Sequence, residues 1–144
     1  MPPKFRSRDY TGKDINVSYD IRRCIHAAEC VRGLPDVFNT RKRPWIAVDN
    51  ADADRVAEVV LRCPSGALHF ERQDSGADEP IPTETSIMPV KDGPLYIRGD
   101  LTITTSDGEV FKETRMSLCR CGASKNKPFC DNSHRAIGFR AESW

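Results

Sequence analysis

The 144-residue sequence has few aromatic residues, no long apolar run and almost no net charge. Aromatic side chains make up only 8% of the residues, so each domain can build only a small core. No apolar segment approaches the roughly 20 residues that cross a bilayer. The net charge of +1 gives no electrostatic reason to expect nucleic acid as the main partner. The chain fits one ordinary domain or two very small ones, and small domains gain stability from metal cross-links.

The first residues do not predict a signal peptide, and the common enzyme motifs are not found in the sequence. The first five residues, MPPKF, have no apolar region for export, so we expect a cytoplasmic protein. There is no G-x-G-x-x-G motif, no P-loop and no nucleophile motif of a hydrolase. We therefore expect a protein that is not an enzyme.

What the sequence does have is six cysteines in two groups of three. The groups are Cys24, Cys30 and Cys63 in the first half, and Cys119, Cys121 and Cys130 near the end. In a reducing compartment such cysteines indicate metal ligands, and three disulfides in a secreted scaffold are the alternative. Residues 73–86, which are acidic and contain prolines, have the composition of a linker. We therefore expect one domain over residues 1–72 and another over residues 87–144.

Local patterns predict a mixed α+β structure. A helix is predicted over residues 52–61, where apolar residues recur at helical spacing and Pro64 follows. The predicted strands cover residues 15–19, 45–48, 67–70, 87–90, 95–97, 101–105 and 115–118. Gly99-Asp100 is predicted to be a turn, and residues 131–136 a short helix with Asp131 as its cap.

Four soft or borderline metal ligands lie within the 16 residues from Cys119 to His134. Cys119 and Cys121 form a C-x-C pair, which puts two thiolates on one tight loop and suits a single iron atom. Cys130 and His134 are four residues apart, so they would share one face of a helical turn and could hold a second iron. Thiolate ligands suit iron–sulfur clusters, and a Cys₃His set also suits zinc.

The residues between these ligands resemble the CDGSH iron–sulfur domain of the NEET family. The matching positions, within residues 87–139, are Leu118–Gly122, Ser124, Lys127–Asp131 and Ser133-His134. The resemblance implies a [2Fe-2S] cluster, with Cys119 and Cys121 on one iron and Cys130 and His134 on the other. Asn132 stands where the family has Gly. If the position needs a positive φ, Asn is the next best tolerated residue.

The first three cysteines fit part of a bacterial ferredoxin run, C-x2-C-x2-C-x3-C-P. With the run laid on Cys24, the third position is Cys30, and Cys63-Pro64 supplies a remote ligand. Two cysteines of the run are replaced, by Ala27 and Leu34. Three thiolates suit a [3Fe-4S] cluster. A [4Fe-4S] cluster would need a fourth ligand, for which His26 is the candidate.

The segment from Tyr19 to Phe70 resembles the divergent single-cluster ferredoxin domain. The residues that carry this resemblance are Cys24–Arg32, Pro35–Phe38, Arg43–Ile46 and Cys63–Leu68. It implies a small ferredoxin-like α/β domain ahead of the β-rich CDGSH domain. A structural zinc site, or a site that no longer binds metal, is the alternative.

Two clusters on one short chain favour one-electron transfer to a partner oxidoreductase. The alternative is a protein that donates a labile His-ligated [2Fe-2S] cluster to an apo-protein or senses redox state. The basic residues near the last four ligands are Arg120, Lys125, Lys127 and Arg135, which form either a docking face for an acidic partner or a solvated surface. The chain is expected to be a monomer or a homodimer.

Overall fold

A computed structural model describes residues 7–142 and divides them into two compact units. The first unit comprises the described residues up to Ile21, together with His26–Cys63 and Ala67–Pro80. The second unit comprises Arg22–Ile25, Pro64–Gly66 and the described residues from Ile81 onward. Across residues 7–142, none of the helices has the length and apolar composition needed to cross a bilayer.

The first unit contains a three-stranded antiparallel sheet in the order β1-β2-β3. Its strands are β1 (Ser7–Tyr10), β2 (Ile15–Asp20) and β3 (Leu68–Arg72). The central strand β2 alternates as predicted, because Ile15 and Val17 are buried while Asn16 and Ser18 are half-buried. One face of the sheet therefore covers the core.

The described residues of the first unit also form three short helical elements. They are α1 (Glu29–Gly33), a 3₁₀ turn (Val48–Asn50) and α2 (Ala53–Val60). The predicted helix is confirmed as α2, and the Asp52 carboxylate accepts a hydrogen bond from the Arg55 backbone N–H at 2.9 Å. The face of α2 that carries Val56, Val59 and Val60 is completely buried. This face packs into one aliphatic core with the sheet.

The edge strand β3 is covered by two carboxylates from residues 78–79, inside the segment predicted to be a linker. Glu79 accepts a hydrogen bond from the Phe70 backbone N–H at 2.9 Å, and Asp78 accepts one from the Arg72 N–H at 2.8 Å. The second Glu79 oxygen lies 2.7 Å from Nδ1 of His69. These carboxylates take the place of a further strand and block edge-to-edge pairing.

The second unit is built on another three-stranded antiparallel sheet, in the order β4-β5-β6. Its elements are β4 (Ser86–Pro89), β5 (Leu95–Thr104), β6 (Val110–Leu118) and the short helix α3 (Ser133–Ala136). The buried apolar residues here are few, mainly Ile25, Met116 and Phe129. The second unit therefore depends more on its polar contacts and on its loops.

The predicted turn at Gly99-Asp100 is wrong. Both residues lie inside the continuous strand β5, where the pairing with β6 shifts register between Arg98 and Leu101. Gly99 allows this irregularity because a glycine has no side chain to place in the ladder. A Gly-Asp pair signals a turn and a bulge equally well, and only the pairing partner decides between them.

The predicted strand over residues 45–48 is also wrong. Ile46 forms a single bridge with Phe38, and residues from Val48 onward enter the 3₁₀ turn. Ile46 and Val48 are buried in the core, which explains the alternating apolar pattern. The alternating apolar pattern of this segment therefore reflects burial in the core and not pairing as a β-strand.

With two small antiparallel sheets and few helices, the structure is α+β and rich in β-strands. The coarse fold class predicted from the sequence is confirmed.

Candidate metal centre

The end of β6 places Cys119 beside Cys130. Leu118 forms an antiparallel bridge with Phe129. On either side of this bridge, the Cys119 N–H donates to the Pro128 carbonyl at 2.8 Å, and the Cys130 N–H donates to the Ser117 carbonyl at 2.9 Å. Two segments that are separate in the chain therefore run together for a few residues, and each contributes a cysteine to the lining of the same surface hollow.

The four predicted C-terminal ligands are arranged as two pairs. The sulfur atoms of Cys119 and Cys121 are 3.8 Å apart, and the sulfur of Cys130 lies 3.6 Å from Nδ1 of His134. Both pairs line one surface hollow together with Gly93, Pro94 and Ser124. Thiolate and imidazole donors suit iron, so the chemistry of this donor set fits an iron–sulfur cluster.

Each of the three C-terminal thiols accepts a backbone hydrogen bond. Gly122 N–H donates to Cys119, Ala123 N–H to Cys121, and Asn132 N–H to Cys130, at 3.3–3.4 Å. Burial alone would raise the pKa of the Cys119 thiol, but the N–H groups of Ser124 and Gly122 outweigh it and the pKa lies below its usual value. Such donors stabilise the thiolate that metal ligation requires.

The second pair is the more enclosed one. Burial raises the pKa of the Cys130 thiol, and the negative charges of Asp131 and Cys119 act in the same direction. Burial also lowers the pKa of His134, with a further contribution from the positive charge of Arg135. Both effects disfavour charge on these side chains while no metal is bound, and a cationic metal would favour the thiolate.

The loop between the two pairs is braced by Ser124 and Asp131. The Ser124 hydroxyl donates to the Phe129 carbonyl at 2.6 Å. The Asp131 carboxylate accepts from the backbone N–H groups of Lys125 at 2.9 Å and Ser133 at 3.0 Å. Asp131 was predicted to be the helix cap, but the cap position of α3 belongs to Asn132. The Asp131 carboxylate nevertheless holds the start of that helix.

Asn132 has the left-handed conformation that the family's glycine indicates. Its φ of 70° and ψ of 8° lie in the αL region, which Asn tolerates better than most residues. Its side-chain amide also donates a hydrogen bond to the Ile25 carbonyl at 2.8 Å. A glycine could adopt the same backbone conformation but could not make this contact.

The segment Arg22–Ile25, which contains the predicted ligand Cys24, is held within the second unit by a buried arginine. The Arg23 guanidinium pairs with the carboxylate of Glu113 and donates to the carbonyls of Ser65 at 2.7 Å and Arg115 at 3.0 Å. Sequence analysis missed Arg23. Its buried partners are 42 and about 90 residues away in the chain, so no local pattern marks it.

The predicted ligands Cys30 and Cys63 both pack against the core of the first unit. Cys30 lies in α1, and Cys63 follows α2, where its N–H donates to the Val60 carbonyl at 3.0 Å. Both side chains are half-buried. The helix ends therefore fix the backbone of each residue, and their ligand roles stay a prediction.

His26, the candidate fourth ligand, is exposed and has a positive φ of 56°. Ala28 is also left-handed, with a φ of 64°. Non-glycine residues in this region are uncommon, and they concentrate at functional sites. Turns that contain left-handed residues can form concavities of backbone N–H groups that hold anions, including iron–sulfur clusters.

All six cysteines lie in the part of the chain that the structure describes, and none is in a disulfide. Over the same residues, no three His, Cys, Asp or Glu side chains converge as ligands of one metal ion. The C-terminal donors are instead gathered as the two pairs described above.

Arg120, one of four basic residues near the site, makes contacts within the second unit. Its guanidinium donates to the carbonyls of Gly93 at 3.0 Å and Val90 at 2.6 Å, and it lies 5.5 Å from the centre of the Phe139 ring. Lys125, in contrast, is exposed. The sequence alone could not separate the bracing arginine from the surface lysine.

Two family matches identify the class of this chain as an iron–sulfur protein, in agreement with the paired thiolate and imidazole donors. Residues 92–135 match the family described as "Iron-binding zinc finger CDGSH type", and residues 10–73 match the family described as "Divergent 4Fe-4S mono-cluster". The two resemblances predicted from the sequence are confirmed. The chain belongs to the divergent 4Fe-4S mono-cluster family, and it carries a CDGSH domain after that region.

The chain is also similar to two relatives in Escherichia coli, one from strain K12 and one from O157:H7. Both are called "Uncharacterized protein YjdI". Each is 41% identical over 66 residues, which cover 46% of this chain and 87% of the relative. The chain is thus similar to almost the whole of each relative and extends beyond the shared part.

Proposed function

We propose that this protein carries single electrons between two iron–sulfur clusters and a partner oxidoreductase, and that it is not an enzyme. The observation that carries the proposal is the arrangement of Cys119 with Cys121, and of Cys130 with His134, around one hollow. Two donor pairs suit the two irons of a [2Fe-2S] cluster. Such a cluster supplies one-electron chemistry, and the protein sets its potential and access.

The backbone around this site supports a tuned redox centre. Three N–H groups point at the three sulfur atoms, and hydrogen bonds to cluster sulfur are one of the main determinants of reduction potential. Replacing one thiolate by the neutral imidazole of His134 removes negative charge from the ligand set. By the logic of Rieske centres, this replacement raises the reduction potential.

For the N-terminal part we propose a ferredoxin-like domain with a second cluster on Cys24, Cys30 and Cys63. Three thiolates favour a [3Fe-4S] cluster, and a [4Fe-4S] cluster would recruit His26 as its fourth ligand. The left-handed residues His26 and Ala28 support an anion-binding loop next to Cys30. Ligand roles for six cysteines require reduced thiols, which supports a cytoplasmic location.

A face for an acidic redox partner is supported by the charges next to the C-terminal ligands. Lys125, Lys127 and Arg135 are exposed around the loop that carries Cys130 and His134. A positive surface beside a redox centre speeds the encounter with an acidic protein and lowers the encounter rate as salt is added. Lys125→Glu with Lys127→Glu should slow electron transfer to an acidic ferredoxin at low salt. Lys91→Glu is the control for a lysine outside the loop.

The second candidate function is delivery of the [2Fe-2S] cluster to an apo-protein. It is favoured by the exposure of the donors, because Cys119, Cys121 and His134 are only half-buried. A cluster held at the surface by a neutral imidazole is more easily released than one enclosed by four thiolates. This candidate predicts transfer to an apo-ferredoxin at a rate that rises in His134→Ala.

The test begins with protein purified without oxygen. Mössbauer and EPR spectra should count two irons in a site that is lost in Cys130→Ala, and three or four in a site that is lost in Cys63→Ala. Stopped-flow reduction should then show both clusters exchanging electrons with an added ferredoxin faster than any cluster reaches an apo-ferredoxin. Faster cluster transfer than electron transfer would reverse the order of the two candidates.

A further inference from the structure

The second unit holds the backbone on both sides of Cys24 through two asparagine amides. Nδ2 of Asn126 donates to the Arg22 carbonyl at 2.9 Å, and Nδ2 of Asn132 donates to the Ile25 carbonyl at 2.8 Å. Ile25 is itself buried, with 5% of its surface exposed. Between these two contacts, the backbone at Cys24 has little freedom to move.

The side chain of Arg23 anchors the same segment from a third direction. Its guanidinium pairs with Glu113 and lies 4.7 Å from the centre of the Phe129 ring. Phe129 directly precedes the predicted ligand Cys130, and its side chain is 1% exposed. The Cys24 segment is therefore packed against residues of the loop that carries the C-terminal ligands.

Asn132 occupies a special position in this arrangement. It lies between Cys130 and His134 in the chain, and its own N–H donates to the Cys130 sulfur at 3.4 Å. Its side chain reaches the carbonyl next to Cys24. One residue thus contacts a predicted ligand of the C-terminal cluster with its backbone and the Cys24 segment with its side chain.

We propose that Asn132 is a positioning residue that couples the two clusters, by fixing the Cys24 segment to the loop of Cys130 and His134. The proposal rests on the proposed ligand roles of these residues. Glycine would satisfy the backbone conformation at this position, so the gain from asparagine is the amide contact itself. A change at one ligand loop would shift the other through that contact, since outer contacts of this kind orient metal ligands.

Coupling of this kind has a definite thermodynamic form. If a cluster bound at the C-terminal site strengthens cluster binding at the N-terminal site, then a cluster bound at the N-terminal site must strengthen binding at the C-terminal site by the same factor. The contact is one ordinary hydrogen bond, so we expect the factor to be about fivefold in metal retention.

The test uses Asn132→Gly, which keeps the left-handed conformation and removes only the side chain. The matched control is Asn50→Gly, which deletes the same type of bond, from Nδ2 of Asn50 to the Asp36 carbonyl at 3.0 Å, within the first unit. The readouts are the EPR spectrum and midpoint potential of the N-terminal cluster, identified by its loss in Cys63→Ala. Iron release to a chelator is measured alongside.

We expect Asn132→Gly to alter the N-terminal EPR spectrum and potential and to release that iron about fivefold faster, with Asn50→Gly unchanged. Asn132→Asp, which keeps the shape but cannot donate to a carbonyl, should behave like Asn132→Gly. Circular dichroism establishes that each variant is folded.

An unchanged N-terminal spectrum, potential and iron release in folded Asn132→Gly would overturn the coupling, and so would equal changes in Asn50→Gly. Failure of the proposed function looks different. In that case the wild-type protein shows no signal that depends on Cys63, and no comparison of the asparagine variants is needed.

Discussion

Arg23 and Glu113 form an ion pair in the second unit, with only 4% and 5% of their side chains exposed. Each member of this buried pair depends on the other, because a buried charge without its counter-ion costs several kcal/mol of folding free energy. Arg23 also donates to the carbonyls of Ser65 and Arg115, so the arginine joins three segments of the unit. This one side chain therefore fixes the segment that precedes Cys24.

Removal of one member of this pair should destabilise the protein strongly. Arg23→Ala or Glu113→Ala is expected to cost about 3–5 kcal/mol in the free energy of unfolding, measured by urea titration with far-UV circular dichroism. The double variant Arg23→Met with Glu113→Leu should recover part of that loss, because two apolar groups leave no uncompensated charge. The recovery should be incomplete, because the Ser65 and Arg115 carbonyls still lose their hydrogen bonds from Arg23.

A control comes from an exposed pair in the same unit. Lys112 and Asp100 are 2.9 Å apart, but 64% and 57% of their side chains are exposed. Lys112→Met should change stability by less than about 1 kcal/mol. If Lys112→Met and Arg23→Ala cost the same, burial is not what makes the Arg23 pair important.

Asp52 caps the N-terminus of α2, the helix that precedes Cys63. Asp52→Ala removes the carboxylate that accepts from the Arg55 N–H, and it should lower the free energy of unfolding by about 1 kcal/mol. Asp52→Ser keeps a capping oxygen and should restore most of the loss. Urea unfolding of the three proteins measures this. Loss of stability in Asp52→Ser equal to that in Asp52→Ala would show that the cap contributes nothing.

The carboxylate of Glu79 protects the edge of β3. Glu79→Leu exposes the Phe70 N–H, so we expect lower stability by roughly 1–3 kcal/mol and concentration-dependent association through the open edge. Light scattering after size-exclusion chromatography measures the association. Glu79→Gln retains an oxygen acceptor for the Phe70 N–H and should stay closer to the wild type. Association in Glu79→Gln as strong as in Glu79→Leu would point to lost charge rather than to the lost acceptor.

The parts of the structure that could be predicted from sequence are those with short-range signals. α2 was found because its apolar residues repeat at helical spacing, with Asp52 at its start. That Cys119, Cys121, Cys130 and His134 lie close together could be predicted because the four residues fall within one short run, and the structure places them around one hollow. For Asn132 the sequence provided only a condition, that Asn is tolerated if the position needs a positive φ, and the structure meets that condition with a φ of 70°.

The parts that could not be predicted depend on partners far away in the chain. Nothing in the sequence distinguishes Arg23 from other charged residues, because its partner Glu113 lies far away in the chain, on β6. Glu79 lies in a segment with the composition of a linker. Its carboxylate accepts a hydrogen bond from the edge strand β3 in the structure, and the sequence does not reveal this contact. The ligand roles of all six cysteines and of His134 stay predictions, and so do the domain boundaries at residues 72 and 87.

The last prediction separates backbone strain from an effect on the metal site. Gly122 and Gly108 have positive φ values of 84° and 89°, and a Cβ at either position would meet no atom within 4 Å. An alanine at each should therefore cost about 1 kcal/mol in folding through conformation alone.

Only Gly122 donates its N–H to a predicted ligand, the sulfur of Cys119 at 3.3 Å. Gly122→Ala should therefore also shift the potential of the C-terminal cluster and speed its release to a chelator, because a strained loop holds that donor less firmly. Gly108→Ala should leave both quantities as in the wild type, so equal shifts in the two variants would mean that the donor at Gly122 has no part in tuning the cluster. Voltammetry and the decay of the cluster's visible absorption measure the two effects in the same preparations.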